Sequence, residues 1–231
     1  LIKVITHLSE FREESALTSW VYRISCNHLL TTRKRNAPKK EMTFEFLDDF
    51  VAAEAENTYP LPVSGQERAL LAEEARLNCL QTVPSCLDME MRIAYILGDI
   101  FDVTSDEGAF ILDIRPEAFR KKVSRARERI QKFMVKHCGI VNKNNPCRCE
   151  KKAGRDLMSE ILSLQKRSFV DNEIALKNRN DAMAHLKELS EIERTTELFR
   201  RYPEYQSPED FKDIVKSLIN SGEYRSFWRN A

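Results

Sequence analysis

Between Arg115 and His137 the apolar residues Phe119, Val123, Ala126, Ile130 and Phe133 recur at alternating steps of four and three. That spacing draws one stripe along an α-helix, because residues three and four apart share a face. A helix with a single apolar stripe has to bury it, so the rest of the chain must supply partners. The composition favours helical ones. Charged residues make up 32% and apolar residues 42% of the chain, while six Gly and eight Pro are too few for a turn-rich all-β protein. At 231 residues the chain is one large domain or two to three small ones. The expected fold class is all-α.

The other side of the same helix carries Glu117, Lys121, Ser124, Arg125 and Glu128. From Arg115 to Lys136 there are nine Lys or Arg against two Glu, a local charge of +7 in a chain whose total is +1. A solvated surface helix needs no such excess, which points to a polyanionic partner. The preceding residues sharpen this. Thr104-Ser105-Asp106-Glu107 can cap a short helix running through Leu112, Asp113-Ile114 makes a tight connection, and Pro116 suits a first helical turn. A short helix, a turn and a longer basic helix form a helix-turn-helix, whose second helix enters the DNA major groove N-terminus first. Arg115, Glu117, Ala118, Lys121 and Lys122 then lead toward base edges, while Arg125, Arg127 and Arg129 meet phosphates or neighbouring carboxylates.

Upstream, Leu1 to Glu10 is apolar-rich and Phe11 to Ser15 is a polar loop. A helix is expected over residues 17–35, burying Leu17, Val21, Ile24 and His28 and exposing Arg23, Asn27, Thr31 and Lys34. Trp20 and Tyr22 are expected mainly to pack, with stacking on unpaired bases as the alternative. From Glu41 to Arg76 nine acidic residues face two basic ones. That stretch reads as a linker with a short helix at residues 44–54. Helices over 66–81 and 87–100 follow, the second presenting Ile93, Ile96, Leu97 and Ile100 to a core.

Taken together, Phe11-Arg-Glu-Glu-Ser15 through Thr18-Ser-Trp-Val-Tyr-Arg-Ile24 and Asn27 resemble the second half of a promoter-melting domain. Met91 to Leu97, Glu107-Gly-Ala109, Ile111-Leu112, Ala118-Phe-Arg120 and Ser124-Arg-Ala-Arg127 resemble a promoter-docking domain. In that order they resemble a bacterial RNA polymerase sigma factor of the extracytoplasmic-function (ECF) type, over roughly residues 1–137. The resemblance implies a protein that binds core RNA polymerase and brings it to promoter DNA, itself catalysing nothing. It implies that Arg115, Glu117, Ala118, Lys121 and Lys122 read the upstream element, with Arg120, Ser124 and Arg125 beside them on the DNA side. Arg23, Asn27, His28 and Thr31 would face the minus-ten DNA, and the loop Phe11 to Ala16 would cradle a base turned out of the stack. The helices that clamp polymerase in this family precede that loop, so a chain starting at Leu1 is expected to be N-terminally incomplete. The implied domains are 1–36, the promoter-melting half; 37–65, the acidic linker; 66–137, the promoter-docking helix-turn-helix; 138–152, a Cys-rich segment; and 153–231, a helical C-terminal extension.

The Cys-rich segment follows Gly139, expected to stop the basic helix with a left-handed cap. Cys147 and Cys149 have the spacing to chelate one soft metal, and Cys138 with His137 or a more distant ligand would complete a tetrahedral zinc site. Unligated thiols and a redox-sensing dithiol are the other readings. Cys26, Cys79 and Cys86 read as small buried hydrophobes. Six cysteines without a secretory signal fit reduced thiols in a cytoplasmic protein. Beyond residue 153, apolar stripes at Leu157, Ile161 and Leu164 and at Met183 through Phe199 predict further helices. Ser207-Pro208-Glu209-Asp210 starts a last one. An interaction or autoregulatory role is expected for this extension, with a separate, purely stabilising helical appendage as the alternative, and an anti-sigma or other regulatory protein is an expected partner. The competing function is a helix-turn-helix regulator with a thiol or zinc sensor and no polymerase binding. Nothing in the sequence suggests an enzyme: it has no glycine-rich phosphate loop and no nucleophile with a paired base.

Overall fold

The computed structural model describes residues 2–35, 42–53, 57, 59–63, 65–159 and 190–200. Among them every regular element is helical, with one isolated β-bridge between Cys138 and Cys147. The helices are α1 (Ile2–Thr6), α2 (Leu17–Arg35), α3 (Phe44–Ala53), α4 (Gly65–Thr82), α5 (Met89–Tyr95), α6 (Ser105–Leu112), α7 (Pro116–His137), α8 (Cys149–Met158) and α9 (Glu191–Arg200). A 3-10 turn, Val83–Cys86, breaks the chain at Pro84, and α5 runs on into a π-helical turn, Ile96–Ile100. No helix among the described residues is long and apolar enough to cross a membrane.

The expected helices form close to the expected ends. Their starts follow capping chemistry: Asp88 accepts the Met91 N–H at 2.9 Å, and Thr104 and Glu107 complete a reciprocal capping box on α6. The expected left-handed cap at Gly139 is absent. Cys138 ends α7 in an extended conformation, and Gly65 is the sole described glycine with positive φ. Gly139 is required for a different reason: a Cβ there would collide with the Arg148 guanidinium and the Cys147 carbonyl.

α7 is the spine of the molecule. Phe119 and Val123, in its first half, pack with Ile93, Leu97, Ile111 and Cys26. Ala126, Ile130, Phe133 and Met134, in its second half, belong to another cluster with α4, Leu47 of α3, and Leu198 and Phe199 of α9. The expected stripe is therefore correct residue by residue, but it is shared between two cores. A third, smaller cluster joins Leu71 and Ala75 of α4 to Ala153 of α8 and to Leu61.

Three expectations change with this packing. In α2, Leu17 is 48% exposed and His28 is exposed, while Ser19 and Cys26 are buried and Tyr22 and Leu30 pack beside Cys26. The buried face is the one turned to α6, nearly opposite on the helix to the stripe read off hydropathy. The acidic stretch over 37–65 supplies Leu47 and Leu61 to cores, so it is more than a connector. Finally, no packing boundary falls at residue 153: Ala153 is fully buried against α4, and Leu198 and Phe199 are buried in the α4–α7 core. Ile161, Leu164, Met183, Leu186, Leu189 and the helix start at Ser207 lie outside the described residues.

Candidate nucleic-acid interface

α6 ends at Asp113, a left-handed C-cap with φ 56° and ψ 46°. An exposed Asp tolerates this conformation better than a bulky residue would. Arg115 is the extended N-cap of α7 and Pro116 its first residue. The two helices pack through Phe119, which lies against Gly108; a Cβ at Gly108 would run into the Phe119 ring. That close approach fixes the angle at which α7 leaves the turn.

On the outer face of α7, Arg115, Glu117, Arg120, Lys121, Ser124 and Arg125 are exposed, and Ala118 and Lys122 are half-buried. Glu117 and Arg120 pair at 3.2 Å, and Lys122 reaches Glu90 at 2.7 Å. Arg127 turns inward to Asp99, whose side chain is only 2% exposed, and this hydrogen bond holds the guanidinium more firmly charged. That leaves Arg115, Lys121, Arg125, Arg129 and Lys132 with no ion pair among the described residues. Lys121, Arg125 and Lys132 succeed one another at steps of four and seven, which is one ridge of a helix. Lys132 was not singled out by sequence; its place on that ridge was the available signal.

The α2 residues divide. Asn27, His28 and Thr31 are exposed, the Thr31 hydroxyl donating to the Asn27 carbonyl at 2.7 Å. Arg23 is engaged inside the molecule instead. It donates to the Phe110 carbonyl at 3.0 Å and to Asp113 at 3.1 Å, and its guanidinium lies 4.7 Å from the centroid of the Phe110 ring. It clamps α2 onto the turn between α6 and α7. Trp20 packs against Phe11 and Tyr22 stacks on Phe101, both as packing residues. In the loop, Arg12, Glu13 and Glu14 are exposed, with Glu13 at φ 58°.

His137, Cys138, Cys147 and Cys149 line one cavity of about 370 Å³ between α3, α4, α7 and α8. His137 is occupied: it is 2.6 Å from Asp48 through Nε2, and its ring rests on Phe133. Since an ionised carboxylate only accepts, Nε2 carries the proton in that contact. Burial pushes the Asp48 carboxyl up, but hydrogen bonds from Lys136 and His137 outweigh it and hold the group below the usual carboxylate range. A depressed folded pKa means that the stabilisation is complete above the unfolded value of about 3.9 and fades as pH falls through the folded one. The urea midpoint of wild type should therefore exceed that of Asp48→Asn at pH 6, and the gap should close below about pH 4. A gap that persisted at low pH would detach it from Asp48 ionisation.

Two comparisons carry the family. The chain is 30% identical over 132 residues to the ECF RNA polymerase sigma-E factors of Escherichia coli K12 and Salmonella typhi, covering 56% of this chain and 66% of theirs. It is 30% identical over 136 residues to the RNA polymerase sigma-H factor of Pseudomonas aeruginosa, covering 58% of this chain and 68% of that protein. The chain belongs to the RNA polymerase sigma factors. No family model matches it, and no solved structure does. This sigma-factor chain thus spans about two thirds of the length of these relatives. Membership agrees with the resemblance carried by Phe11 to Asn27 and by Met91 to Arg127.

Proposed function

We propose that this sigma-factor chain directs core RNA polymerase to chosen promoters, with α6 and α7 as the helix-turn-helix that reads upstream promoter DNA. The observation that carries the reading is the set of α7 cations, Arg115, Lys121, Arg125, Arg129 and Lys132, left unneutralised on one exposed side. Phosphate contacts from such a side supply affinity and orientation, and the leading residues supply sequence choice. Pro116 and the Phe119–Gly108 contact present Arg115, Glu117, Ala118 and Lys121 at the leading end. Asn27, His28 and Thr31 supply the minus-ten surface. Catalysis stays with polymerase; the chain contributes binding energy only. The C-terminal extension acts on the reader through α9, which shares a core with α7.

Run-off transcription with core polymerase tests the whole reading, and polymerase pull-down separates it from a regulator that binds DNA alone. Lys121→Ala tests the reader itself. Loss of about 1–3 kcal/mol of binding on the preferred upstream element, with relaxed base preference, is expected for a base contact. Equal loss on every sequence, with a salt slope lower by about one, would make Lys121 a phosphate contact.

A further inference from the structure

Beyond the DNA face, the cysteines are the feature the proposed function leaves unused. Cys79 was read from sequence as a small core residue, and the structure places it with the others. It projects from α4 into the cavity that Cys138 at the end of α7, Cys147, and Cys149 at the start of α8 also line. We propose that Cys79, Cys138, Cys147 and Cys149 together bind one zinc ion, which fastens α4, α7 and α8 at a single point.

The four belong together pairwise. Each of the six thiol pairs is close enough for ionisation of one to oppose ionisation of the other. The remaining cysteines behave otherwise: burial alone raises Cys26, and Cys86 feels Arg92 and Glu45 but no second thiol. The chain around the four is built tightly. Cys138 and Cys147 are joined by a β-bridge, and the backbone N–H groups of Ile140 and Val141 donate to the Cys138 sulfur. The Asn145 amide donates to the carbonyls of Val135 at 2.8 Å and Cys138 at 3.3 Å. Arg148 crosses the space that Gly139 leaves and donates to the carbonyls of Lys143, Asn145 and Cys147.

The chemistry of the donor set selects the metal. Four soft thiolates suit tetrahedral zinc, and N–H donors to sulfur stabilise the thiolate form. Binding zinc(II) releases four protons to solvent and leaves a centre of charge −2. Lys152, Arg148, Arg155 and Arg76 lie near enough to favour the ionised thiols. Without metal, burial raises all four thiols, Cys79 up to about 12. In this structure no three His, Cys, Asp or Glu side chains among the described residues are gathered at metal-bond spacing. Loading therefore turns the thiols about their side-chain bonds onto a common centre. His137, the fourth ligand expected from sequence, is committed to Asp48, and Cys79 takes its place.

The full chain, purified under reductant and without chelator, should carry roughly one zinc per molecule by elemental analysis. Cys79→Ser should lower that content at least tenfold, while Cys26→Ser, Cys86→Ser and His137→Ala should keep it. Cobalt(II) added to the metal-free unmodified chain should give intense visible bands of tetrahedral cobalt and near-ultraviolet sulfur-to-cobalt charge transfer, a readout that does not depend on any variant folding. Absence of that charge transfer would overturn the proposal. So would full zinc retention in Cys79→Ser, zinc loss in His137→Ala, or mass spectrometry showing these cysteines paired as disulfides under reductant.

Discussion

Phe199→Ala should lower the unfolding free energy by about 3–5 kcal/mol, as large a loss as any single side chain of the two main cores would give. Phe199 is 1% exposed and meets Tyr95 edge-on, with ring centroids 5.9 Å apart. Its neighbour Leu198 is 2% exposed in the same cluster. Polar contacts hold α9 at both ends: Arg194 donates to the Val141 carbonyl at 2.7 Å, and Arg200 donates to the Asp99 carbonyl at 3.1 Å. Removing the ring deletes apolar contact and leaves a cavity between α9, α7 and the π-helical turn, which relaxes only in part. The measurement is the urea midpoint with its slope, which should shift without a change of slope if folding stays two-state. A loss under about 1 kcal/mol would show that α9 is an appendage and not a member of the core.

The second large effect lies at the other core. Phe119→Ala should also cost about 3–5 kcal/mol, because the ring is 2% exposed among Leu97, Ile111 and Val123. The same contact can be broken from the opposite side by adding atoms. Gly108→Ala drives a methyl into the Phe119 ring and should cost about 1–3 kcal/mol through overpacking. These two results share a cause, so they should not add. In a Phe119→Leu background, the alanine at position 108 should cost clearly less than in wild type, giving a coupling of about 0.5–3 kcal/mol. Strict additivity would mean that the two residues do not meet. Either single change should also weaken DNA binding at temperatures where the protein remains folded, since the contact sets the exit angle of α7.

Much of this fold is legible in the amino-acid sequence, and the reasons are local. The α7 stripe was legible because a helix obliges its buried residues to recur at three and four, whichever partners cover them. The α6 start was legible because Thr104 and Glu107 satisfy backbone groups within one turn. What could not be read depends on partners distant in sequence. Hydropathy placed the buried face of α2 at Leu17 and His28; contact with α6 turned it toward Ser19, Tyr22, Cys26 and Leu30. Arg23 looked like a DNA contact until Phe110 and Asp113 came within reach. Cys79 precedes Cys138 by more than sixteen helical turns' worth of chain, and no spacing rule links them. His137 looked like a ligand because it adjoins Cys138, but Asp48, far earlier in the chain, claims it.

The position of α7 across two cores has a geometrical consequence. Its 22 residues extend about 33 Å, and each residue advances the helix by about 100° around its axis. Phe119 and Val123 fix the azimuth of the helix in one core, and Ala126, Ile130 and Phe133 fix it again in the other. The rotational phase is thus determined twice along a single rod. Lys121, Arg125 and Lys132 consequently point in one fixed compass direction relative to Cys138, in any state that keeps both cores. Inserting or deleting one residue between Val123 and Ala126 would put the two ends about 100° out of phase, and one core would have to give way.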